Sequence, residues 1–368
     1  MANLFGNATF SGGVPRAMLS RAAWLVRQGH QVDIYFQNLG PSLAPFEVSG
    51  VKVWPVPGGP LCRRGAAKNR YWLNATLIRR RLAKHHERAP FGVVDLHDGG
   101  LFQAFRKVRN LPKAFTIHSS AMLNPEPRPA RIKQYNTRNE LLTAAGVDLL
   151  LPVSHYVFSS FVERGHGAKG RVVYNCVPED VRPNAERPQG RPLTLMFAAR
   201  YAHNKGFDTV LEALETIATP EGFHIKAFGE GPYADEYRKQ VRRSGLDAVV
   251  SIGGNISDRS KLLDEYATAD AFLLPTRYEA FSVALLEAYG LGLPAVTTTI
   301  PPNLELSSPT RLMFEPGNAS GLARVLNSML EEADLLAHER RRALEVAEQF
   351  RADRVFPSLL AAYRELHT

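Results

Sequence analysis

The sequence predicts an α/β protein of two domains, each built on a doubly wound parallel sheet. Apolar strand-like runs alternate with amphipathic helical stretches through both halves of the chain, which is typical of parallel sheets with crossover helices. The 368 residues suit two domains of about 150 residues each, and the 45% hydrophobic content can fill two cores. A proline-rich stretch, 178–192, separates the halves and predicts a linker that acts as a hinge.

The strand and helix signals follow one another in a regular order. In the first half, strands are predicted at 1–6, 31–36 and 51–54, with a helix over 14–28. In the second half, strand signals begin at Leu193, Phe223, Val249, Ala271, Ala295 and Arg311, and helical stretches separate them. The chain is predicted to end in helices over 333–350 and 352–366. We therefore place the domains at 1–182 and 183–351.

Two glutamates eight positions apart carry the strongest functional signal. The apolar run 271–275 predicts a buried strand, and Ser282 is a suitable N-cap for a helix that reaches Gly290. Glu279 then lies in the loop before the helix, and Glu287 lies about one and a half turns inside it. Free backbone N–H groups between them attract phosphate, so the segment suits a nucleotide-diphosphate sugar. The alternative is a pair of surface glutamates on an ordinary helix.

Two cations and a glycine turn follow two strand signals earlier in the second half of the chain. Arg200 and Lys205 flank a turn after the run 193–199, at the edge where open α/β sheets bind ligands, and such a pair can clamp a pyrophosphate. A solvated turn is the common alternative. After the strand at 223–228, Gly229 and Gly231 would allow the backbone to approach a ligand.

The order of these motifs resembles the retaining glycosyltransferases of family 4, which have the GT-B fold. The motifs are 200–206, 229–232, 279–287 and 290–296 in the second half, and 12–16, 93–97, 116–118, 151–154 and 172–175 in the first. The resemblance spans nearly the whole chain. It implies two Rossmann-like domains that face a central cleft, with the last helix, 352–368, packed back on the first domain.

The resemblance also implies a role for each site residue. Glu279 would hold hexose hydroxyls, and Glu287 would hold the ribose. Arg200 and Lys205 would neutralise the departing β-phosphate. His118 would face the hexose from the first domain, although a histidine at a strand end is often structural. The other donor contacts would be the amides of Ala280, Phe281 and Ser282, the glycines Gly229 and Gly231, and a mobile loop at Gly12 and Gly13.

The implied activity is transfer of a hexose, with retention, from a nucleotide-diphosphate sugar to an acceptor hydroxyl. UDP-hexose is the expected donor and a glycan or lipid-linked cell-envelope precursor the expected acceptor, because the chain is similar to lipopolysaccharide-core and other cell-envelope hexosyltransferases. No cofactor and no metal are expected, since no Asp-x-Asp sequence follows a strand. The alternatives are a sugar-nucleotide epimerase or phosphorylase of the same architecture, or a non-enzymatic nucleotide- or RNA-binding protein.

The sequence departs from the family pattern at two places. Ala280 replaces a more usual glycine or proline. Pro301-Pro302 stands where the family generally has two glycines before an acidic residue, here Glu305. We therefore expect the segment after the strand at 295–299 to meet the donor differently.

Charge is distributed unevenly along the chain. Residues 1–185 carry 25 Lys/Arg and 11 Asp/Glu, a net charge of +14, whereas residues 186–368 carry 20 and 25, a net charge of −5. The basic half suits an anionic acceptor or membrane surface. Its densest stretch, 63–88, predicts a helix with aromatic and cationic sides, which can lie on a membrane, or simply a solvated helix face. Its basic patch comprises Arg70, Trp72, Arg79, Arg80, Arg81 and Lys84.

The sequence favours a globular cytoplasmic protein. No run of about 18 apolar residues predicts a membrane span, and the N-terminus lacks a signal-peptide pattern. Cys62 and Cys176 have neither zinc spacing nor a CxxC arrangement, so two ordinary thiols in a reducing compartment are expected. Membrane binding by the basic patch would place the protein on the cytoplasmic face of the inner membrane.

Overall fold

The structure is a computed structural model that describes residues 2–6, 12–38, 44–57, 67–99, 101, 105, 108, 110–126, 129–183, 190 and 192–367. The chain divides into two compact units. Unit 1 comprises Met1–Cys176 and Ala352–Thr368, and unit 2 comprises Val177–Arg351. Among the described helices, none is both long enough and apolar enough to cross a bilayer.

Unit 1 contains a seven-stranded sheet with the order β3-β4-β2-β1-β5-β6-β7. Its strands are β1 (Ala2–Gly6), β2 (Asp33–Asn38), β3 (Phe46–Val48), β4 (Val51–Pro57), β5 (Val94–Leu96), β6 (Lys113–Ile117) and β7 (Leu149–Pro152). The described α-helices before unit 2 are α1 (Gly13–Arg27), α2 (Ala67–Arg88), α3 (Ala130–Gly146) and α4 (His155–Val162). The strands run parallel, except that β3 is antiparallel to β4.

The edge hairpin β3-β4 was missed by the sequence analysis. Its two-residue turn consists of Ser49 and Gly50, which have φ angles of 51° and 75°. Positive φ at both turn residues gives the twist that two-residue hairpins favour. The short first strand, β1, is nevertheless central, because it pairs with both β2 and β5.

Unit 2 contains a six-stranded parallel sheet with the order β10-β9-β8-β11-β12-β13. Its strands are β8 (Leu193–Ala198), β9 (Phe223–Phe228), β10 (Val250–Ile252), β11 (Ala271–Leu274), β12 (Ala295–Thr298) and β13 (Met313–Phe314). Its helices are α5 (Phe207–Leu214), α6 (Ala234–Arg243), α7 (Arg259–Ala267), α8 (Val283–Gly290), α9 (Pro301–Leu306), α10 (Ala319–Glu331) and α11 (Leu335–Gln349). Strands β11 and β12 are buried throughout, as parallel strands covered on both faces usually are.

The strand order reverses between β8 and β11 in unit 2. Chain connections leave in opposite directions on either side of such a point, and this opens a crevice at the carboxyl ends of the two strands. The predicted class of two doubly wound α/β sheets is confirmed. The switch point between β8 and β11 also defines where a ligand of unit 2 is expected.

The last helices, α12 (Ala352–Val355) and α13 (Pro357–Arg364), belong to unit 1. Trp24 of α1 donates a 2.7 Å hydrogen bond to Asp353, and its ring packs edge-on against Phe356 with 5.9 Å between the ring centroids. Tyr363 donates a 2.7 Å hydrogen bond to Asp95 of β5. These buried contacts tie the end of the chain to the first sheet.

The boundary between the units lies at residues 176 and 177, six positions before the boundary set from the sequence. Val177 donates its backbone N–H to Phe350 O at 2.8 Å, and Asp180 pairs with Arg259. The start of the proline-rich stretch is therefore attached to unit 2 by specific contacts that the prolines do not reveal. The predicted linker residues 184–189 and 191 lie outside the described residues.

Candidate functional site

An ion pair joins the two sides of the switch point in unit 2. Lys205 follows β8 and Glu279 follows β11, and Lys205 Nζ lies 2.6 Å from Glu279 Oε1. Only 21% of the lysine side chain and 14% of the glutamate side chain are exposed. Partial burial strengthens the attraction between the charges relative to a surface pair. The structure thus brings together a cation and an acceptor that the sequence separates by 74 positions.

The segment before Glu279 is fixed to the turn that carries Lys205. Arg277 forms two hydrogen bonds to Asp208, of 2.8 and 2.9 Å, and donates to His203 O at 2.9 Å. Thr276 donates its hydroxyl to Asn204 O at 2.8 Å. A bidentate arginine–carboxylate pair is geometrically specific. These contacts, which the sequence analysis missed, hold the two loops at a fixed separation.

Arg200 differs from Lys205 in its surroundings. Its side chain is exposed at the end of β8, and it makes no ion pair with any carboxylate in the described part of the chain. Because this cation is not neutralised by a described neighbour, it adds positive charge to the carboxyl edge of the sheet. An anionic ligand would be attracted there.

The helix α8 begins as the sequence predicts. Ser282 is the N-cap, and its hydroxyl accepts a 3.2 Å hydrogen bond from the Leu285 backbone N–H. Ala280, Phe281 and Ser282 are all buried. The cap satisfies one of the N–H groups at the helix start and leaves the partial positive charge of that end beside Glu279.

Glu287 lies inside α8 with none of its surface exposed. Its Oε1 accepts a 2.9 Å hydrogen bond from Arg259, which also donates to both carboxylate oxygens of Asp180, at 2.6 and 3.0 Å. These hydrogen bonds and charges raise the pKa of Arg259, although burial opposes its ionised form. Sequence reasoning missed Arg259, since nothing local connects it with residues 79 positions earlier or 28 positions later.

The glycines after β9 lie in close contact with the loop after β8. A Cβ atom on Gly229, whose φ is 155°, would lie 2.0 Å from Ala199 O, and one on Gly231 would lie 2.2 Å from Tyr201 O. Backbone hydrogen bonds link the same loops, from Ala199 to Phe228 O and from Tyr201 to Glu230 O. The missing side chains therefore allow two loops to interlock beside Arg200, and the contact of Gly229 and Gly231 with a donor stays a prediction.

The second predicted departure from the family also has a structural explanation. Pro301 and Pro302 start α9, where proline is favoured because the first N–H groups of a helix have no intrahelical partner. Asn303 in the same turn donates to Thr297 Oγ1 at 2.9 Å and to Thr298 O at 3.0 Å. A short helix, fixed to the end of β12, thus occupies this part of the sheet edge.

Gly12 and Gly13 lie at the start of α1 in unit 1, and both are exposed. Gly12 has a φ of 102°, and a Cβ atom on either glycine would have no atom within 4 Å. The backbone conformation of Gly12 requires glycine, whereas packing does not. The preceding residues, 7–11, lie outside the described residues, so the predicted mobile loop is not tested.

His118 follows β6 and contacts a second histidine. Its Nε2 lies 2.7 Å from His97 Nδ1, and the His97 Nε2 lies 3.2 Å from Asp95 Oδ2. Asp95 also accepts hydrogen bonds from the backbone N–H of Thr116 and from Tyr363. The two motifs at 93–97 and 116–118, quoted separately in the sequence analysis, therefore form one cluster in the fold.

Burial dominates the electrostatics of this cluster. It lowers the pKa of His97, and it lowers the pKa of His118 still further, with the neighbouring His97 and Arg21 adding to the effect. Burial alone would favour a protonated Asp95, but its interactions with His97, Tyr363 and Arg21 together hold the Asp95 pKa below its usual range. The charged members are thus Arg21 and Asp95, and both histidines are neutral at pH 7.

Glu140 of α3 holds the loop that follows His118. Its carboxylate accepts hydrogen bonds from Ala121 N at 2.9 and 3.0 Å and from Ser120 Oγ at 3.2 Å. Burial nevertheless raises the pKa of Glu140 to about 7. Sequence analysis gave no signal for this residue, because it lies on a helix 19 positions after the loop it contacts.

The predicted basic patch lies on α2. Arg80 and Lys84 are exposed, whereas Arg79 and Arg81 are half-buried. The Arg81 guanidinium lies over the Trp54 ring, 5.3 Å from its centroid. The side chains of Arg70 and Trp72 lie outside the described residues. The described part of the patch therefore presents two exposed cations rather than four.

Across the described residues, no three His, Cys, Asp or Glu side chains come close enough together to hold a metal ion. Cys176 is a buried thiol, and Cys62 lies outside the described residues.

Two family models match this chain and together cover most of it. The model described as Glycosyltransferase Family 4 matches residues 11–181, and the model described as Glycosyl transferases group 1 matches residues 179–347. The chain belongs to the GT-B glycosyltransferases. The division between the two matches falls close to the boundary between units 1 and 2. The family resemblance stated from the motifs is confirmed.

Curated relatives of this glycosyltransferase are only partly covered by the match. An exopolysaccharide phosphotransferase of Streptomyces coelicolor is 25% identical over 66% of this chain and 26% of its own length. A 2-deoxystreptamine N-acetyl-D-glucosaminyltransferase of Niallia circulans is 29% identical over 46% of this chain and 44% of its own length. The chain thus spans less than half the length of these relatives.

Solved structures match this glycosyltransferase over its whole length. A sucrose-phosphate synthase from Thermosynechococcus elongatus has a TM-score of 0.83 at 17% identity and covers 100% of this chain and 98% of its own. Anabaena HepE, in complex with UDP and glucose, has a TM-score of 0.75 at 15% identity and covers 99% of this chain and 98% of its own. At these identities the likeness establishes the fold alone.

Proposed function

We propose that the protein transfers a hexose, with retention of anomeric configuration, from UDP-hexose to an acceptor hydroxyl. The acceptor is a glycan or a lipid-linked precursor of the cell envelope. The proposal rests on the family membership and on one observation in unit 2, the 2.6 Å contact between Lys205 and Glu279 across the switch point. Crystals of the similar HepE contain UDP and glucose, which supports a nucleotide sugar as the ligand class.

The ion pair places a cation that can bind the diphosphate beside a carboxylate that can accept hydrogen bonds from the sugar. A diphosphate bound at the start of α8 competes with Glu279 for the Lys205 ammonium, because a dianion attracts it more strongly than a carboxylate. Glu279 then accepts hydrogen bonds from hexose hydroxyls. The Lys205–Glu279 pair therefore keeps each group oriented until the donor replaces the contact.

Arg200 and Lys205 stabilise the leaving diphosphate. Negative charge grows on the β-phosphate as the glycosidic bond breaks, and fixed cations aimed at that charge lower the barrier. The acceptor hydroxyl enters on the face that the diphosphate leaves and donates its proton to a phosphate oxygen. This arrangement gives a retained linkage and requires neither a cofactor nor a divalent metal.

The remaining site residues are assigned to the same nucleotide-sugar donor. Glu287 holds the ribose, and the amides of Ala280, Phe281 and Ser282 hold the sugar diphosphate. His118 faces the hexose. The glycines Gly12 and Gly13 allow the chain to approach the phosphates. The exposed Arg80 and Lys84 of α2 attract an anionic acceptor or lipid surface, and their replacement by glutamate should reduce sedimentation with vesicles that contain anionic lipid.

Matched lysine variants test the proposal. Lys205→Ala should lower the transfer rate by about 10²–10³-fold, since one donor to a developing anion is removed. Lys226→Ala is the control, because Lys226 forms a similar half-exposed pair with Glu265 at 3.1 Å in the same unit. Transfer from UDP-hexose to a small acceptor, with the product anomer assigned by NMR, is the measurement. A β-linked product from an α-linked donor would exclude retention.

The choice of nucleotide is tested separately. Thermal shifts with UDP, GDP, ADP and dTDP, in EDTA and in magnesium, identify the base and reveal a metal requirement. Interconversion of UDP-sugars without an acceptor would instead identify an epimerase. Binding of RNA that weakens steeply with salt and survives Glu279→Ala would favour the non-enzymatic alternative.

A further inference from the structure

His118 is the last member of a line of buried polar side chains. Tyr363 donates a hydrogen bond to Asp95 at 2.7 Å, and His97 Nδ1 lies within hydrogen-bonding distance of His118 Nε2, at 2.7 Å. Between these pairs, His97 Nε2 lies 3.2 Å from Asp95 Oδ2, a charge contact without hydrogen-bond geometry. Within the described residues, the hydrogen bond of His118 is made through Nε2, and none is found at Nδ1. The positions of the protons in this line therefore decide what His118 offers to a ligand.

The proton positions follow from the carboxylate. Asp95 accepts hydrogen bonds from Tyr363 at 2.7 Å and from Thr116 N at 3.1 Å, so it is surrounded by donors and is ionised. An unprotonated His97 Nε2 would place the partial negative charge of its lone pair 3.2 Å from this carboxylate. That arrangement is repulsive. His97 therefore carries its proton on Nε2 and has a lone pair on Nδ1.

This protonation state decides which histidine donates the hydrogen bond between the two rings. The nitrogens are 2.7 Å apart, which requires one proton between them. Since His97 Nδ1 has none, His118 Nε2 must be the donor. A neutral His118 then has its lone pair on Nδ1, so that nitrogen is an acceptor.

The charges around the line keep both rings neutral. Arg21 is completely buried, donates to Thr116 Oγ1 at 3.2 Å and to Val173 O at 2.7 Å, and balances the charge of Asp95. A proton on either histidine would leave an uncompensated positive charge in the interior, which is costly. The Tyr363 hydroxyl also faces the line and is neutral as a donor to Asp95.

We propose that Asp95 and His97 are positioning residues, which fix His118 in the Nε2–H tautomer and so present Nδ1 as a hydrogen-bond acceptor for a ligand hydroxyl. The assignment of that hydroxyl to the donor hexose rests on the proposed function, whereas the tautomer does not. The fixed tautomer selects ligands that carry a hydrogen-bond donor at that position, because a group that only accepts hydrogen bonds would face the lone pair of Nδ1. Since Tyr363 donates to Asp95, the tautomer of His118 also depends on a residue of the last helix.

The tautomer can be measured without any activity. In protein labelled with ¹⁵N-histidine, two-bond nitrogen–proton correlations distinguish protonated from unprotonated ring nitrogens, and the His118 signals are those missing from His118→Gln. We expect His118 and His97 both to be protonated on Nε2 alone at pH 7. A proton on His118 Nδ1 in the wild-type protein, alone or as imidazolium, would overturn the proposal.

Two variants of equal size separate positioning from packing. His97→Asn keeps an acceptor atom at the place of Nδ1, whereas His97→Leu puts a methyl group there. We expect His118 to keep the Nε2–H tautomer in His97→Asn and to populate both tautomers in His97→Leu. Equal tautomer populations in the two variants would contradict the positioning role, and if His97→Leu does not fold, the wild-type measurement still decides.

Turnover gives an independent readout. Loss of a fixed acceptor should lower kcat/KM for the nucleotide sugar by about tenfold in His97→Leu, with His97→Asn within about threefold of wild type. The expected tautomers without any transferase activity would refute only the proposed function. Transferase activity with the wrong tautomer would refute only the positioning role.

Discussion

Arg259 donates a 2.9 Å hydrogen bond to Glu287, and Glu287 is wholly buried within α8. The same guanidinium also makes hydrogen bonds to Asp180, near the start of unit 2. The carboxylate proposed to hold the ribose thus already has a structural partner. Removal of the Glu287 carboxylate should consequently affect both ligand binding and stability, and the two effects can be measured separately.

Glu287→Ala should weaken UDP binding by about tenfold or more, because a hydrogen bond to a charged group is lost. It should also lower the free energy of unfolding by about 1–3 kcal/mol, since Arg259 retains Asp180 as a partner. Calorimetric titration with UDP and urea unfolding measure the two effects. Glu332→Ala, which breaks an exposed pair with Arg311, is the control and should leave UDP affinity unchanged. Wild-type affinity in Glu287→Ala would remove the ribose assignment.

Gly229→Ala should destabilise unit 2. The added Cβ would lie 2.0 Å from Ala199 O, and φ at this position is 155°, so the loop that carries Arg200 has to shift. Such overpacking usually costs about 1–3 kcal/mol. The matched control is Gly254→Ala, whose Cβ would meet no atom within 4 Å. Thermal unfolding of both variants is the measurement, and equal melting temperatures would show that the two loops are not interlocked.

Phe356→Ala should destabilise unit 1 through the end of the chain. The side chain is completely buried and packs against Trp24. Truncation of a buried phenylalanine usually costs about 3–5 kcal/mol. Ser358→Ala, two positions later and exposed, removes only a hydroxyl that donates to Val355 O and should have little effect on the urea midpoint. A midpoint for Phe356→Ala that matches the control would mean that α12 and α13 are not part of the first core.

Glu140 should make stability depend on pH. Its pKa is raised from 4.5 to about 7 in the folded protein, so its contribution is fully present below pH 4.5 and is lost as the pH rises through 7. The rise corresponds to at most about 3 kcal/mol. Glu140→Gln should therefore be more stable than wild type at pH 8 and similar at pH 5.

Thermal unfolding from pH 5 to pH 8 checks the Glu140 prediction. Glu163→Gln serves as the control, because Glu163 is 71% exposed in the same unit and should follow the wild-type curve. If the difference between Glu140→Gln and wild type does not change with pH, the carboxyl group is ionised throughout and the raised pKa is wrong.

Local features of the sequence determined the elements and the order of the motifs. The uninterrupted apolar run of β11 and the capping chemistry of Ser282 placed a buried strand before a helix, and the structure has both. Periodicity, caps and turn residues act over only a few positions, so they can be read without the fold. The same features placed Glu279, Lys205 and His118 at the ends of strands.

Contacts between distant segments were decided by tertiary structure. No local pattern pairs His97 with His118, shares Arg259 between Glu287 and Asp180, or places Glu140 beside the loop after His118. Which residues meet depends on strand order, because only that order brings the ends of β5 and β6, or of β8 and β11, to the same edge.

The glycines after β9 also show which properties are evident from the sequence and which depend on the fold. Their positions in a turn were evident from the sequence, but the atoms that a side chain would meet belong to the loop after β8. The sequence by itself determined the fold class, the family and the residues at the carboxyl edge of each sheet. Only the tertiary structure decided their partners, since burial and pairing are properties of the packed chain and local residue patterns do not encode them.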